Sequence, residues 1–317
     1  MRHALLLEHV SKRYSGHTAV DDLSLAVPEG SIYGILGPNG AGKSTTIRMV
    51  MNIIIRDSGS VSLLGSDPER GREVLRRVGY LPEERGLYRK MKVLDVIVFF
   101  AQLKGMDGRA ARTEGALWIE RMGLGDWRAA KVETLSKGMQ QKVQFITTVI
   151  HDPDLLILDE PASGLDPVNQ EVLRDTILDV RRRGKTVIFS THNMAQAEEL
   201  CEHVCIIAQG RKVLDGPLRE VKRANRTDRF RFSFDEPAPG LEALRRAGRF
   251  GEPVPVGDAW EVELAPGADA RELVAALNAL DAPLARFERV QPSLHEIFVA
   301  RVGDAATPHR LPETARV

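Results

Sequence analysis

The amino-acid sequence predicts an α/β fold followed by a smaller α+β module, and three observations carry that expectation. Compact β-rich runs bounded by turn residues, "SIYGILG", "DLLILDE", "KTVIFSTH" and "VCIIAQG", alternate with amphipathic helical stretches up to about residue 215. Such alternation fits a largely parallel sheet covered on both faces. A block from about Tyr88 to Ala130 is helical without strong strand signals, so an inserted helical lobe is expected over about 88–150. Beyond "VLDGPLREVKRANR" the texture changes to short alternating strands and helices. The expected division is therefore 1–222 for the main domain, 227–302 for a small accessory domain, and 303–317 for a disordered tail.

In the accessory segment, "RFRFSF" and "AWEVEL" alternate with period two, "GLEALRRAG" and "DARELVAALNAL" are helical, and "ARFERVQP" is extended. A further extended piece at "EPVPVG" completes a β-α-β-β-α-β order, a ferredoxin-like arrangement. The last helix, "SLHEIFVARVG", opens on a serine suited to capping it.

Composition narrows the classes. Lys and Arg number 44 and Asp and Glu also 44, so charge gives no hint of a nucleic-acid or anionic-membrane partner. Two cysteines among 317 residues exclude a disulfide framework and fit a reducing cytoplasm. Apolar runs such as "VIVFFA" fall short of the ~20 residues that span a bilayer. "MRHALLLEHV" reads as a first strand rather than a signal peptide. Any membrane-spanning segment is expected on another chain.

Chemistry concentrates in four stretches. "GILGPNGAGKSTT" places Gly37, Gly42, Lys43 and Ser44 in G-x-x-x-x-G-K-[ST] spacing, after a strand and before a helix. Glycines at these positions let successive N–H groups face phosphates, Lys43 reaches the β/γ-phosphates and the Ser44 hydroxyl suits Mg²⁺. In "LLILDEP", Asp159 ends a buried apolar strand, where it suits the Mg²⁺ shell, and Glu160 is placed to orient or deprotonate an attacking water. His192 in "STHNM" ends another strand, where it can contact the γ-phosphate. "TLSKGMQQK", Thr134 to Lys142, has a serine and a glycine opening an amphipathic helix. This is a second start suited to an anion, almost a hundred residues after the first.

These motifs, in this order, resemble the ATP-binding subunit of an ABC transporter over residues 5 to about 220. The resemblance implies a P-loop NTPase core of the ABC ATPase type with an inserted helical subdomain. It implies ATP and Mg²⁺ as cofactors, with Tyr14 and Val20 at the base, and Gly37, Pro38, Asn39, Gly40, Ala41, Gly42, Lys43, Ser44 and Thr45 around the phosphates. Glu83 in "YLPEE" takes the place where the family usually has Gln, a contact for Mg²⁺ and water; Ser44, Glu83 and Asp159 are thus the expected metal contacts. "LSKGM" departs from the family's L-S-G-G-Q at Lys137 and Met139, while Ser136 and Gly138 are kept, and Asp166 closes "SGLD". Glu160, His192 and Lys43 are the expected catalytic set.

In this family two cassettes face each other head to tail, so "LSKGM" of one chain closes on the nucleotide of the other. That explains the second anion site. The expected partners are a second cassette, in a homodimer, and a separate transmembrane permease gripped beside Glu83, at about Arg85 to Val93. The chain is then cytoplasmic and peripheral on the inner face of the membrane. "YLPEERGLYRKMKV", "LSKGMQQKVQF" and "QPSLHEIFVARVG" further resemble the sodium-extruding exporter subgroup with a small C-terminal domain. The substrates this admits are sodium or a drug-like or lipid-like compound.

Other features take plainer readings. "CEHVC", with Cys201 and Cys205, is read as core packing, because zinc wants about four ligands. "RRRGK", Arg181 to Lys185, is a helix C-terminus where cations suit the dipole. Trp118, Trp127 and Trp260 are read as packing anchors. Two competing functions remain: a soluble ABC ATPase acting on ribosomes or DNA, disfavoured by one cassette and zero net charge, and a regulatory ATPase whose small domain senses a ligand.

Overall fold

The computed structural model describes residues 2–84, 86–236, 238, 240–241, 250–265, 267–280 and 282–302. They fall into two compact units, one holding the chain up to Leu218 with Arg301 and Val302, the other Arg219–Ala300.

The first unit is built on a six-stranded sheet in the order β5-β6-β7-β3-β8-β9. Its members are β3 (Ile32–Leu36), β5 (Val78–Leu81), β6 (Leu155–Asp159), β7 (Thr186–Thr191), β8 (His203–Ala208) and β9 (Arg211–Pro217). All neighbours are parallel except β8 and β9. The central strands β3, β6 and β7 are buried at every position, as the continuous apolar runs require when both faces are covered.

A second sheet escaped the sequence reading beyond its first strand. β1 (His3–Tyr14) pairs antiparallel with both β2 (His17–Pro28) and β4 (Ser58–Leu63). Shifts of register, and left-handed His9 and Asp22, break the two-residue alternation that would have betrayed these strands. Leu5, Leu7, Val20, Leu23 and Val61 from this sheet share one core with Tyr33, Ile35, Leu155 and Ile157 of the parallel sheet. Helix α1 (Lys43–Val50) contributes Ile47, Met49 and Val50 to it.

The helical lobe comprises α2 (Val93–Leu103), α3 (Gly108–Arg121) and α4 (Lys137–Val149). Each start has its local cause. Asp107 accepts the amides of Arg109 and Ala110 to cap α3, and Ser136 accepts that of Met139 to cap α4. Helix α5 (Pro167–Arg182) is capped by Asp166 and has proline in its first turn. It ends among Arg181 and Arg182 before left-handed Gly184, as expected. Helix α6 (Met194–Leu200) is capped by Asn193.

Both cysteines are core residues. Cys201 packs against Gly34, whereas Cys205 lies in the core with Tyr33 and Ile35, residues that point to the other face of β3. Of the tryptophans, Trp118 is buried with Arg121 over its ring. Trp127 is 40% exposed, so it is no packing anchor; it lies in a short 3₁₀ turn with no buried face.

The second unit carries α7 (Leu218–Ala224) from Arg219 onward, then strands β10 (Arg229–Phe234), β11 (Val254–Val256), β12 (Ala259–Glu263) and β13 (Leu284–Arg289), with α8 (Ala270–Asn278) and α9 (Leu294–Val302) as far as Ala300. The strands lie in the order β11-β12-β10-β13, all antiparallel, the ferredoxin-like order foreseen from the sequence. Phe230, Phe232, Val262, Leu273 and Leu277 fill its core. Ser293 and Glu296 exchange amide bonds at the start of α9, a capping box. The helix expected at "GLEALRRAG" lies outside the described residues beyond Leu241, as does the tail from Gly303.

His151 follows α4 with both ring nitrogens buried. Burial first, and then the neighbouring Lys104 charge, push its pKa down to about 4, against the opposing effects of the Val78 backbone and of Asp152; Lys185 adds to the lowering. Below the ordinary imidazole value of about 6.5, the unfolded chain takes up a proton that the folded chain refuses. Stability is therefore expected to fall as pH drops from about 6.5 towards 4, and His151→Phe should flatten that part of the profile. Urea midpoints of both chains between pH 7.5 and 4.5 measure it.

Candidate functional site

The carboxyl ends of β3, β6 and β7 stand in register, with Leu36 opposite Thr191 and Asp159 opposite Ser190. Gly37 continues from β3 into a loop that closes at Gly42, the residue before α1. Gly37 has φ 151°, and a Cβ there would sit 2.1 Å from the Ile207 carbonyl. Gly42 has φ 105°, and its Cβ would sit 2.4 Å from the Ala19 carbonyl, beside Val20. The loop is thus pressed onto β8 and β2 at two points where only glycine fits. Between them Pro38, Asn39 and Gly40 are exposed, while Ala41 is buried and its amide bonds the Pro38 carbonyl. No side chain caps α1, so its first amides, at Lys43, Ser44 and Thr45, are open to an anion.

Lys43 is buried. Its Nζ donates to the Gly37 and Pro38 carbonyls at 2.8 and 3.2 Å and stands 3.5 Å from Glu160 Oε1. Ser44 Oγ donates to Asp159 Oδ1 at 3.2 Å, and the Ser190 hydroxyl bonds the same oxygen. Asp159 is 0% exposed and its Oδ2 has no hydrogen-bond partner. A buried, orphaned carboxylate oxygen beside a hydroxyl is a donor set that fits a hard divalent cation. Burial first, and then the charge of Asp159, push the Tyr80 phenol up to about 12, so it stays protonated near this site.

Glu160 lies one residue beyond the strand in the left-handed region, φ 48°. That conformation is uncommon for a glutamate and costs of order 1–3 kcal/mol. The Glu160 amide bonds the Ser190 carbonyl at 3.1 Å, Thr191 Oγ1 donates to Oε2 at 3.4 Å, and His192 Nδ1 lies 3.0 Å from Oε1. The carboxylate is therefore turned back over the sheet edge and shared between Lys43 and His192. A carboxylate so held, 8% exposed, can accept a proton from a water above the loop. Ser190 and Thr191 are the residues the sequence reading missed. Their signal was two hydroxyls inside an otherwise apolar strand, "VIFST".

The remaining residues lie in three places. Tyr14 ends β1, 46% exposed, with Lys12 Nζ 5.6 Å from its ring centre. Val20 is buried beneath Gly42. Glu83 is exposed in the loop after β5, where buried Gln144 of α4 donates to the carbonyls of Pro82 and Glu84 at 3.4 and 3.2 Å. Ser136 is exposed and caps α4, and Gly138 faces Leu165 and Asn169. The Asn169 amide on the Asp166 carboxylate holds Asp166 below the usual carboxylate range as the cap of α5. The hydrogen bonds described for Ser136, Met139 and Asp166 are local to these helix starts, and none reaches the loop of residues 37–45.

A glycine loop pinned to a helix start, with two acids at the end of a strand one place removed in the same sheet, defines a P-loop ATPase. The chain belongs to the ATP-binding proteins of ABC transporters. The ABC transporter family model matches residues 20–163, and that of the ATP-binding protein DrrA1-3-like C-terminal domain matches residues 216–302. An uncharacterized ABC transporter ATP-binding protein, YhaQ of Bacillus subtilis, is 42% identical over 299 residues, 94% of this chain and 98% of that protein. The Nod factor export ATP-binding protein I of Burkholderia orbicola is 39% identical over 209 residues, 66% of this chain and 69% of that protein. Among solved structures, an ATP-binding subunit of an ABC transporter matches with a TM-score of 0.66 and 28% identity, over 70% of this chain and 92% of that one. A dimeric cassette bound to ADP and Pi matches in fold, with a TM-score of 0.63 and 23% identity over 68% of this chain and 99% of that one.

The two tight glycines should not be equivalent to the open one. Gly37→Ala is expected to destabilise the chain by more than about 2 kcal/mol, because backbone must move to admit the methyl. Gly40→Ala, with φ 77° but nothing within 4 Å, is expected to cost about 1 kcal/mol. Urea unfolding followed by circular dichroism measures both; equal losses would contradict the close approach at Ile207.

Proposed function

We propose that this chain is the ATPase engine of an exporter, working as a homodimer that closes head to tail around two ATP molecules and drives a separate transmembrane permease. The observation that carries this reading is the pairing of one complete loop-and-carboxylate site with a second, isolated helix start at Ser136. A helix N-terminus whose described hydrogen bonds are local to its own Ser136 cap, and do not reach the loop of residues 37–45, is explained if it serves the neighbour's nucleotide. The export name of the Burkholderia relative and the dimeric state of the structural neighbour support the same reading.

In this reading Lys43 leaves its two loop carbonyls for the β- and γ-phosphates, and the open amides of Lys43, Ser44 and Thr45 hold the remaining oxygens. Tyr14 stacks on the base, and Val20 supports the loop beneath it. Mg²⁺ would be held by Ser44 and Asp159 with Glu83 nearby, and it supplies charge neutralisation for the phosphates. Glu160 orients the attacking water and takes its proton. Its own position is kept by Thr191 and by His192, which also reads the γ-phosphate. Ser136 and Gly138 approach that γ-phosphate from the partner, and Asp166 lies beside them at the start of α5. Met139 cannot donate a hydrogen bond where the family has Gln, and Lys137 adds a cation instead.

Residues 1–222 are then the cassette, with 88–150 its helical subdomain, and 227–302 an accessory domain. No helix among the described residues is long and apolar enough to cross a membrane. Attachment to the cytoplasmic face through the permease follows from the reading, with contact beside Glu83. Sodium or a drug-like or lipid-like compound is the cargo we propose.

Glu160→Gln is expected to bind Mg²⁺-ATP, to hydrolyse it at least about a hundredfold more slowly, and to accumulate as an ATP-bound dimer. Size-exclusion chromatography with Mg²⁺-ATP and a phosphate-release assay measure both. Undiminished turnover would remove Glu160 from its role.

A further inference from the structure

Glu160 stands in the left-handed region, and a strained backbone of this kind persists only where its surroundings hold it from several sides. Two contacts on its carboxylate are long or open to solvent. Thr191 Oγ1 donates to Oε2 at 3.4 Å, and the His192 side chain, whose Nδ1 lies 3.0 Å from Oε1, is 57% exposed. The loop that leaves Glu160 supplies a further hold. Its turns close through the Ser163 amide on the Glu160 carbonyl and the Leu165 amide on the Ala162 carbonyl, at 3.1 and 3.2 Å. At Leu165 two side chains take over from the backbone.

Gln170 Nε2 donates to the Leu165 carbonyl at 3.0 Å, and Gln196 Nε2 donates to Gln170 Oε1 at 3.2 Å. Gln170 follows the Asp166 cap of α5 and Gln196 follows the Asn193 cap of α6, each in the first turn of its helix. From there the bonds run back to the start. The Gln196 amide donates to Asn193 Oδ1 at 3.2 Å, the Asn193 amide to Thr191 Oγ1 at 3.0 Å, and Thr191 Oγ1 to Glu160 itself. The result is a closed ring that begins at the Glu160 carbonyl and ends at its carboxylate, with His192 between two of its members. A side-chain amide suits the middle of such a ring, because it accepts on one side while donating on the other. Beneath the bridge, Leu173, Ile177, Phe189 and Leu200 line a cleft of about 270 Å³ between α5 and α6. The two amides span that gap.

We propose that Gln170 and Gln196 are positioning residues for hydrolysis: their amide bridge ties the loop of residues 163–166 to the helix behind His192 and so holds Glu160 and His192 against each other. The proposal rests on the reading that Glu160 takes the proton of the attacking water. In this role neither glutamine touches the nucleotide. Both act on the step that depends on where Glu160 stands, since a misplacement of about 1 Å costs a reaction up to about a hundredfold. Nucleotide binding, which depends on the loop of residues 37–45, is left as it is. The bonds from Leu165 to Thr191 act in series, so opening any one of them frees the same two groups.

Steady-state hydrolysis of Mg²⁺-ATP by the full chain tests this with two isosteric variants. Gln170→Glu still accepts from Gln196 but cannot donate to the Leu165 carbonyl, and Gln196→Glu cannot donate to Gln170 Oε1. Each is expected to lower kcat about tenfold while KM changes less than about twofold, and the double variant should fall no further than either single one. Gln170→Leu and Gln196→Leu, which have room in the cleft and add no charge, should behave alike. They carry the test if a carboxylate at either position unfolds the chain, which urea midpoints report. Unchanged kcat in folded single variants overturns the proposal. So does a raised KM in place of a lowered kcat, or a double variant slowed about a hundredfold, as two independent residues would give. Glu160→Gln, measured in parallel, separates the bridge from the reading beneath it. Undiminished turnover in Glu160→Gln refutes the role of Glu160 itself, whereas a slow Glu160→Gln beside fully active glutamine variants refutes only the bridge.

Discussion

The Ser190 hydroxyl bonds across two strands to Asp159, and the rest of the first unit depends on the register it marks. Leu36, Asp159 and Thr191 end three parallel strands at one level. From that level spring the glycine loop, the paired acids and His192. Side chains alternate faces along a strand, so a slip of one residue in β6 would turn the carboxylate of Asp159 away from Ser44. The buried apolar runs of β3, β6 and β7 fix that register more firmly than any polar contact at the site. Hydrophobic burial positions the residues, and the hydroxyls of Ser44, Ser190 and Thr191 aim them.

A second constraint links the site to the flank of the molecule. Two buried glutamines one turn apart on α4 reach different loops. Gln141 donates to the Pro161 carbonyl, the residue after Glu160, at 3.2 Å, and Gln144 grips the carbonyls around Glu83. The helix that begins at Ser136 is therefore bolted to the loop leaving Glu160 and to the loop carrying Glu83. Packed elements of this kind have few alternative arrangements, which suits a two-state device.

Much of this was legible in the sequence because the chemistry leaves local marks. Glycines at fixed spacing before a helix, and acids ending an apolar run, need no tertiary context to be recognised. So it was with the Ser136 cap, the "EPVPVG" strand and the ferredoxin-like order of the second unit. The antiparallel sheet of β1, β2 and β4 was not legible, since bulges at His9 and Asp22 disturb its alternation. Nor were Ser190 and Thr191, whose meaning depends on which strand lies next to theirs. Trp127 was misread because size alone suggested burial, whereas its 3₁₀ turn leaves the ring at the surface.

The central claim is that Ser136 serves the nucleotide of another chain, and mixing two defective chains tests it most directly. Lys43→Ala disables the site built on its own loop, and Ser136→Arg disables the site built on the neighbour's loop. Each homodimer then has two damaged sites, but a mixed dimer has one site that is doubly damaged and one that is intact. With subunit exchange verified by labelled chains, the account predicts that ATP-dependent closure returns in the mixture, and is absent when wild type is mixed with the double variant under the same mixed-dimer readout. Closure that never returns, although exchange occurs, would contradict the account.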